Sequence, residues 1–463
     1  MKFKTALLSL IAIPLLFACS GNKQSGEFEG IWLGTLQFPG FESRIAFQIE
    51  KSADGQLTAV MLKPDENDDK IPLTRIIMED ERLHFEIDSL KMTFDGEIDA
   101  RGQTIAGQWR QGQLAQPLTL RRVDKIEKPA RPQTPQPPFP YHSKEVSFVN
   151  KAGQAVLAGT LTWPEQGTSF PALMLISGGG KHDRDYTIAR HKPFWVLADY
   201  LARRGIAVLR FDERGAGAST GDRSQATIED VALDVLAGVE FLKTNPYFKV
   251  SKIGLLGHSE GGMIAELAAL KSKDVAFIIT LGTPGLPGYE YQLQFEETSS
   301  RTLGMNERRI NVRLGFQREV FDVLLNELDS AVARQKLERL LSFIRPPLPA
   351  ERKKASLDRF LSPWFRYNLN YDPAAVLQQL NCPVLAIFGE KDLHVPPERN
   401  AEAVKAALQA GGNPNYSVLV LPDLNHFFQT NKESIVFNYG KIEETISPKV
   451  LELIENWVKR LGK

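Results

Sequence analysis

The chain has 463 residues, 43% of them hydrophobic and 24% charged, values that suit folded domains and exclude both a disordered chain and a bundle of membrane spans. Lysine plus arginine and aspartate plus glutamate each number 56, so the formal charge is zero and nucleic acid is not an expected partner. The length fits two domains better than one.

At the start, Lys2 and Lys4 precede an apolar run over 6–17. A bilayer crossing needs about 20 apolar residues, so the run reads as a secretory signal over 1–18. It closes on Leu16-Phe17-Ala18-Cys19, which resembles the bacterial lipoprotein signal. That resemblance implies acyl chains on Cys19, attachment to a membrane through this anchor and a place in the cell envelope. Ser20, in place of Asp, adds the expectation of the outer membrane. Residues 19–26 then form a polar tether.

Residues 27–123 read as short alternating strands, for example 44–50, 57–63 and 82–88, with turns at Asp54-Gly55, Asp95-Gly96 and Arg101-Gly102. The expectation is a small all-β domain, a barrel or a sandwich. Its His84, flanked by Leu83 and Phe85, reads as a structural side chain. Residues 124–142 are rich in proline and polar residues, a composition that builds a spacer and no core. From 143 to 463, apolar runs at 172–176, 207–211, 253–256, 276–281, 384–388 and 417–421 alternate with helical stretches at 194–203, 228–243 and 263–270. That alternation predicts an α/β domain with a mainly parallel sheet covered on both faces. The interval of about 287–380 is charged and helical with no strand, so it is expected to insert as a cap.

Gly257-His258-Ser259-Glu260-Gly261 fits the turn that lifts a serine above a sheet between a strand and a helix. A second copy, Gly217-Ala218-Ser219-Thr220-Gly221, sits in a polar loop and is followed by no helix, so Ser259 is the nucleophile candidate. A serine needs a base, and the base needs an orienting group. Two histidines follow Ser259; His426, in the loop after 417–421, is preferred to His394, which lies too near the acid candidate. Asp392, just past 384–388, is preferred as the acid to Glu390, Asp372 and Asp423. The backbone N–H groups of Glu260 and of Gly179, with Gly178 close behind, are the candidate oxyanion donors. The loop 212–219 lacks the Lys-Ser/Thr ending of a phosphate loop and reads as a rigid turn in which Asp212 and Arg214 pair.

Taken together, the Gly178-Gly179-Gly180 loop with Asp183-Arg184-Asp185, the stretches 212–219, 257–262 and 389–392, and Asn425-His426-Phe427 resemble bacterial α/β-hydrolases of the serine aminopeptidase-like or lysophospholipase-like esterase kind. Lys181-His182 departs from the Gly-Pro-Gln-like residues that relatives often carry there. The resemblance, over roughly 145–463, implies a serine hydrolase acting on a small-molecule ester or amide without metal or cofactor. Ester hydrolysis through an acyl-enzyme is the leading expectation, with a peptidase or acyltransferase on the same triad next. A binding protein that keeps the hydrolase fold without activity is the rival from another class.

Overall fold

The computed structural model describes residues 28–38, 41–52, 56–112, 114–432 and 437–461. Cys19 and the apolar run before it lie outside them. The described residues form two compact units.

The first unit is one sheet of nine strands: β1 (Gly30–Phe38), β2 (Phe41–Lys51), β3 (Leu57–Leu62), β4 (Ile71–Pro72), β5 (Arg75–Glu79), β6 (Arg82–Ile87), β7 (Met92–Ile98), β8 (Thr104–Gln111) and β9 (Leu114–Val123). Their order is 4-3-2-1-9-8-7-6-5, and the sheet curls until β3 comes near β5. Period-two alternation explains the curl's filled interior: in β6, Leu83, Phe85 and Ile87 turn inward while Arg82, His84 and Glu86 turn out. Phe47, Phe85 and Phe94 stack there, with ring centres 4.7 and 5.8 Å apart. His84 is held on the outer face by Asp95 at 2.6 Å and Glu86 at 2.7 Å, a structural role.

The second unit carries eight strands: β10 (Tyr141–Asn150), β11 (Ala155–Pro164), β12 (Ser169–Ile176), β13 (Ala207–Phe211), β14 (Lys249–His258), β15 (Val275–Leu281), β16 (Val384–Gly389) and β17 (Tyr416–Leu421). They run in the order 10-11-13-12-14-15-16-17. β10 and β11 pair antiparallel, as do β11 and β13, and every later pairing is parallel. The sequence reading did not find β10 and β11. β10 is an edge strand that buries only Tyr141, Phe148 and Asn150, so it lacks the continuous apolar run by which the inner strands are recognised.

Helices α1 (Pro193–Ala202), α2 (Ile228–Thr244) and α3 (Glu260–Lys271) follow the early strands. In β12, Ala172, Met174 and Ile176 pack into one core layer while Leu173 and Leu175 pack into the other. α2 and α3 cover the first layer; α1 covers the second. Between β15 and β16 come α4 (Gly288–Thr302), α5 (Glu307–Asn326), α6 (Ser330–Ser342), α7 (Ala350–Phe360), α8 (Pro363–Asn370) and α9 (Pro373–Leu377). These helices have their own apolar centre, with Phe321, Leu324, Leu337, Leu341 and Phe365 at its heart. α10 (Pro397–Ala410) and α11 (Pro448–Leu461) complete the two helical layers.

Candidate active site

The parallel strands all point their carboxyl ends to one edge, and the predicted site residues lie on the turns that leave it. Ser259 stands between the end of β14 and the start of α3, with φ 54° and ψ −123°. A non-glycine residue held in such a conformation costs on the order of 1–3 kcal/mol and persists only where its surroundings enforce it. Here the enforcement is steric and hydrogen-bonded. A Cβ on Gly257 would come within 2.1 Å of the Gly261 carbonyl oxygen, so only glycine lets the strand pass the helix. The Ser259 N–H donates to the Leu281 carbonyl at 2.8 Å. Its hydroxyl, half-buried, has no hydrogen-bond partner among the described residues.

His426 and Asp392 meet at this edge. Nδ1–H of His426 donates to Oδ2 of Asp392 at 2.8 Å, which leaves Nε2 as the lone-pair nitrogen. Oδ1 of Asp392 accepts from the backbone N–H groups of His394 and Val395, both at 2.8 Å. Burial pushes the Asp392 carboxyl up to about 7, against the pull of those two donors. Burial also lowers the His426 imidazole to about 3, so it is neutral and able to take a proton. The pair packs against Gly282, where φ is +56° and a Cβ would lie 3.1 Å from Oδ2 of Asp392 and 3.3 Å from Nδ1 of His426.

A chain of hydrogen bonds that sequence reasoning missed ties the loops together. Gly178 lies against the Tyr186 hydroxyl, which a Cβ there would approach to 2.6 Å. Tyr186 donates to Nδ1 of His258 at 3.0 Å, and Nε2–H of His258 donates to the carbonyl of His426 at 2.7 Å. The His258 ring lies 4.6 Å from that of His426, so the residue next to Ser259 sets where the histidine loop rests. Burial lowers the His258 imidazole to about 3, and its neutral form is the one this arrangement needs. Gly178 also lies near the serine, since a Cβ there would be 3.2 Å from Cβ of Ser259. The N–H groups of Gly179 and Glu260 have no acceptor among the described residues. His394, a partly exposed loop residue, stacks on His426 with ring centres 4.6 Å apart.

The side chain of Glu260 is also engaged. Its carboxylate accepts from Arg223 at 2.7 Å, from the Trp364 indole at 2.6 Å and from the Asn368 amide at 2.8 Å. Trp364 and Asn368 belong to α8, so the residue after the serine reaches into the inserted helices. Beside it opens a cavity of about 330 Å³, with Gly179, Met263, Leu286 and Tyr291 in its walls.

The second serine motif is structural. Oγ of Ser219 donates to the Asp212 carbonyl at 2.7 Å and accepts from the Ala158 N–H at 2.9 Å. The expected pairing of Asp212 with Arg214 does not form. Asp212 is bound by Arg184 at 2.8 Å, and Arg214 grips Asp234 on α2 at 2.7 and 2.8 Å. The partners come from segments remote in sequence, which spacing along one loop does not reveal.

The sequence model of the family described as serine aminopeptidase, S33, matches residues 173–330, the stretch that holds Ser259. That of the prolyl oligopeptidase family matches residues 361–442, the stretch that holds Asp392 and His426. Strand order, the strained serine and these two matches give this chain the α/β-hydrolase fold. The chain is 26% identical over 307 residues to esterase EstD of Thermotoga maritima, a match covering 65% of this chain and 65% of that protein. It is 24% identical over 273 residues to an uncharacterized 31.7 kDa protein of Escherichia coli, covering 56% of this chain and 85% of that one. Among solved structures, an esterase of Pyrococcus furiosus aligns over 73% of this chain and 100% of its own at 16% identity, with a TM-score of 0.43. An α/β hydrolase from a Penicillium species aligns over 69% and 99% at 18% identity, also with a TM-score of 0.43.

Proposed function

We propose that this chain is a serine hydrolase that cleaves small-molecule carboxylic esters through an acyl-enzyme. Ser259 attacks the ester carbon while Nε2 of His426 takes the hydroxyl proton. Asp392 fixes the imidazole's tautomer and stabilises the imidazolium that forms. The N–H groups of Gly179 and Glu260 receive the developing oxyanion, and His426 then returns its proton to the departing alkoxide. Water repeats the sequence on the acyl-enzyme, releasing the acid and restoring Ser259.

The observation that carries this reading is the strained Ser259 with an unspent hydroxyl at the same sheet edge as the bonded His426 and Asp392. The expected outcome is covalent labelling of the chain at Ser259 by a fluorophosphonate, with turnover of a short nitrophenyl ester. A chain that takes up no label and turns over neither esters nor aminoacyl anilides would sink it. Peptide-bond hydrolysis on the same residues is the second reading, favoured by the two peptidase families matched. Rates on aryl esters against aminoacyl anilides separate the two.

Anchoring through lipid at Cys19 to the cell envelope, on the outer membrane, belongs to the same proposal, and the support for it is the N-terminal pattern of the sequence. Among the described residues no helix is long and apolar enough to cross a membrane. Metabolic labelling with a fatty acid, lost in Cys19→Ser, is the expected result.

A further inference from the structure

We infer that His182 is a positioning residue for the oxyanion loop, its ring N–H gripping the Gly179 carbonyl and so fixing the direction of the Gly179 N–H; this rests on the serine-hydrolase reading. Gly178, Gly179 and Gly180 follow β12 in an unbroken run. Glycine has more backbone freedom to lose than any other residue, yet an oxyanion donor is effective only when it is already in place before the charge develops. Among the described residues no backbone–backbone hydrogen bond reaches residues 178–181. Side chains must therefore hold the loop.

Both ends of the run are pinned to one residue. Before it, the Ser177 hydroxyl is hydrogen-bonded to the carboxyl of Glu213, and both residues are buried. After it, the Glu213 N–H donates to the His182 carbonyl at 3.1 Å. The next anchor is close by, since the Arg184 N–H donates to Oδ1 of Asp212 at 2.8 Å. The backbone of His182 thus belongs to a fixed segment, and its side chain turns back from there over the glycines.

Nε2–H of His182 donates to the Gly179 carbonyl at 3.0 Å. Burial lowers the imidazole below its ordinary 6.5, so the ring is neutral and its one proton sits on the nitrogen that faces the carbonyl. The ring stands edge-on to Tyr186, with centres 4.7 Å apart at 83°, and Tyr186 is itself bonded to His258. Gly180 makes room for it: φ there is +127°, and a Cβ would come within 2.7 Å of Nε2. With its carbonyl held between two pinned ends, Gly179 cannot reorient its N–H without breaking this bond. An ester carbonyl in the ground state gains little from a well-aimed donor, whereas the oxyanion gains much, so the effect falls on kcat and spares KM.

The test compares two variants of the purified chain on a short nitrophenyl ester. His182→Phe keeps a ring against Tyr186 and removes the donor; His182→Gln keeps an N–H donor and removes the ring. Outright loss of an oxyanion donor costs about 10²–10³ in kcat, so a donor left in place but loosened should cost His182→Phe about tenfold or more, with KM within about threefold. Affinity for an alkyl trifluoromethyl ketone, whose adduct with Ser259 carries the oxyanion, should fall by a similar factor, and His182→Gln should regain at least about threefold in both. His182→Leu, of smaller bulk, gives the same comparison where the phenylalanine variant does not fold. An unchanged kcat, a loss carried by KM alone, an inhibitor affinity that does not follow kcat, or a glutamine variant no better than the donorless one overturns the inference. Fluorophosphonate labelling of the wild-type chain separates the levels: label with kcat unmoved in His182→Phe removes the inference alone, and no label removes the hydrolase reading with it.

Discussion

Two serines in this chain sit in the same Gly-x-Ser-x-Gly pattern and have opposite fates. Ser219 lies in a loop where its hydroxyl both donates and accepts within 3 Å, so it is fully spent on holding Asp212 and Ala158. Ser259 is carried on a backbone twisted to φ 54°, and its hydroxyl is bonded to nothing among the described residues. A motif, then, marks a backbone possibility. What separates the reactive group from the structural one is whether the fold satisfies the hydroxyl or strains the chain to leave it unsatisfied.

The largest expected effect tests that contrast head on. Ser259→Ala should lower ester turnover by about 10⁴-fold or more and abolish fluorophosphonate labelling, because it removes the attacking atom; persistent labelling would move the nucleophile elsewhere. Asp392→Asn should follow at about 10⁴-fold in kcat, since an amide in place of the carboxylate favours the wrong imidazole tautomer. Full activity in that variant would assign the acid to another carboxylate, with Glu390 next to examine.

A third prediction probes the helix that backs Ser259. Glu266 on α3 is buried beside Tyr371, and burial raises its carboxyl from 4.5 to about 8. A raised folded-state pKa means a contribution that is complete below about pH 4.5 and lost as the pH climbs to about 8. Thermal unfolding should therefore show Glu266→Gln gaining on the wild type between pH 4.5 and 8. A gap independent of pH would contradict it. Next in size, Tyr186→Phe breaks the hydrogen-bonded chain from Tyr186 through His258 to His426, and loss of about 10- to 100-fold in kcat with KM little changed is expected from a slightly misplaced histidine loop. An equal loss through KM would assign Tyr186 to substrate binding. Smallest is Ser219→Ala, which should keep labelling and activity while losing about 1–3 kcal/mol in denaturant unfolding.

The sequence made the sheet edge legible because inner parallel strands are continuous apolar runs, as at 253–256 and 384–388, and strand ends are where such sheets collect polar residues. Gly257 and Gly261 around Ser259 could be read for the same reason: their spacing is local. His258, Tyr186 and Asn368 could not be read, since their roles depend on contacts 72 to 168 residues away. The Asp212 and Arg214 expectation failed in the same way, because adjacent opposite charges suggested a pair when each had a better partner on another element. In the nine-stranded unit the strands were visible by alternation, while the choice between a barrel and a sandwich was left open, since alternation reports which face is buried and not how far a sheet curls.

Position 260 does two jobs at once. Its amide N–H has no acceptor among the described residues and is the proposed oxyanion donor, while its carboxylate holds Trp364 and Asn368 of an inserted helix. Any swing of α8 away from the sheet would strip two donors from a buried anion and tug on the very residue that follows the nucleophile. Access and reactivity are thereby mechanically coupled: drift in the inserted helices, however remote from the serine, is free to reshape the outer rim but is held in place at those two side chains.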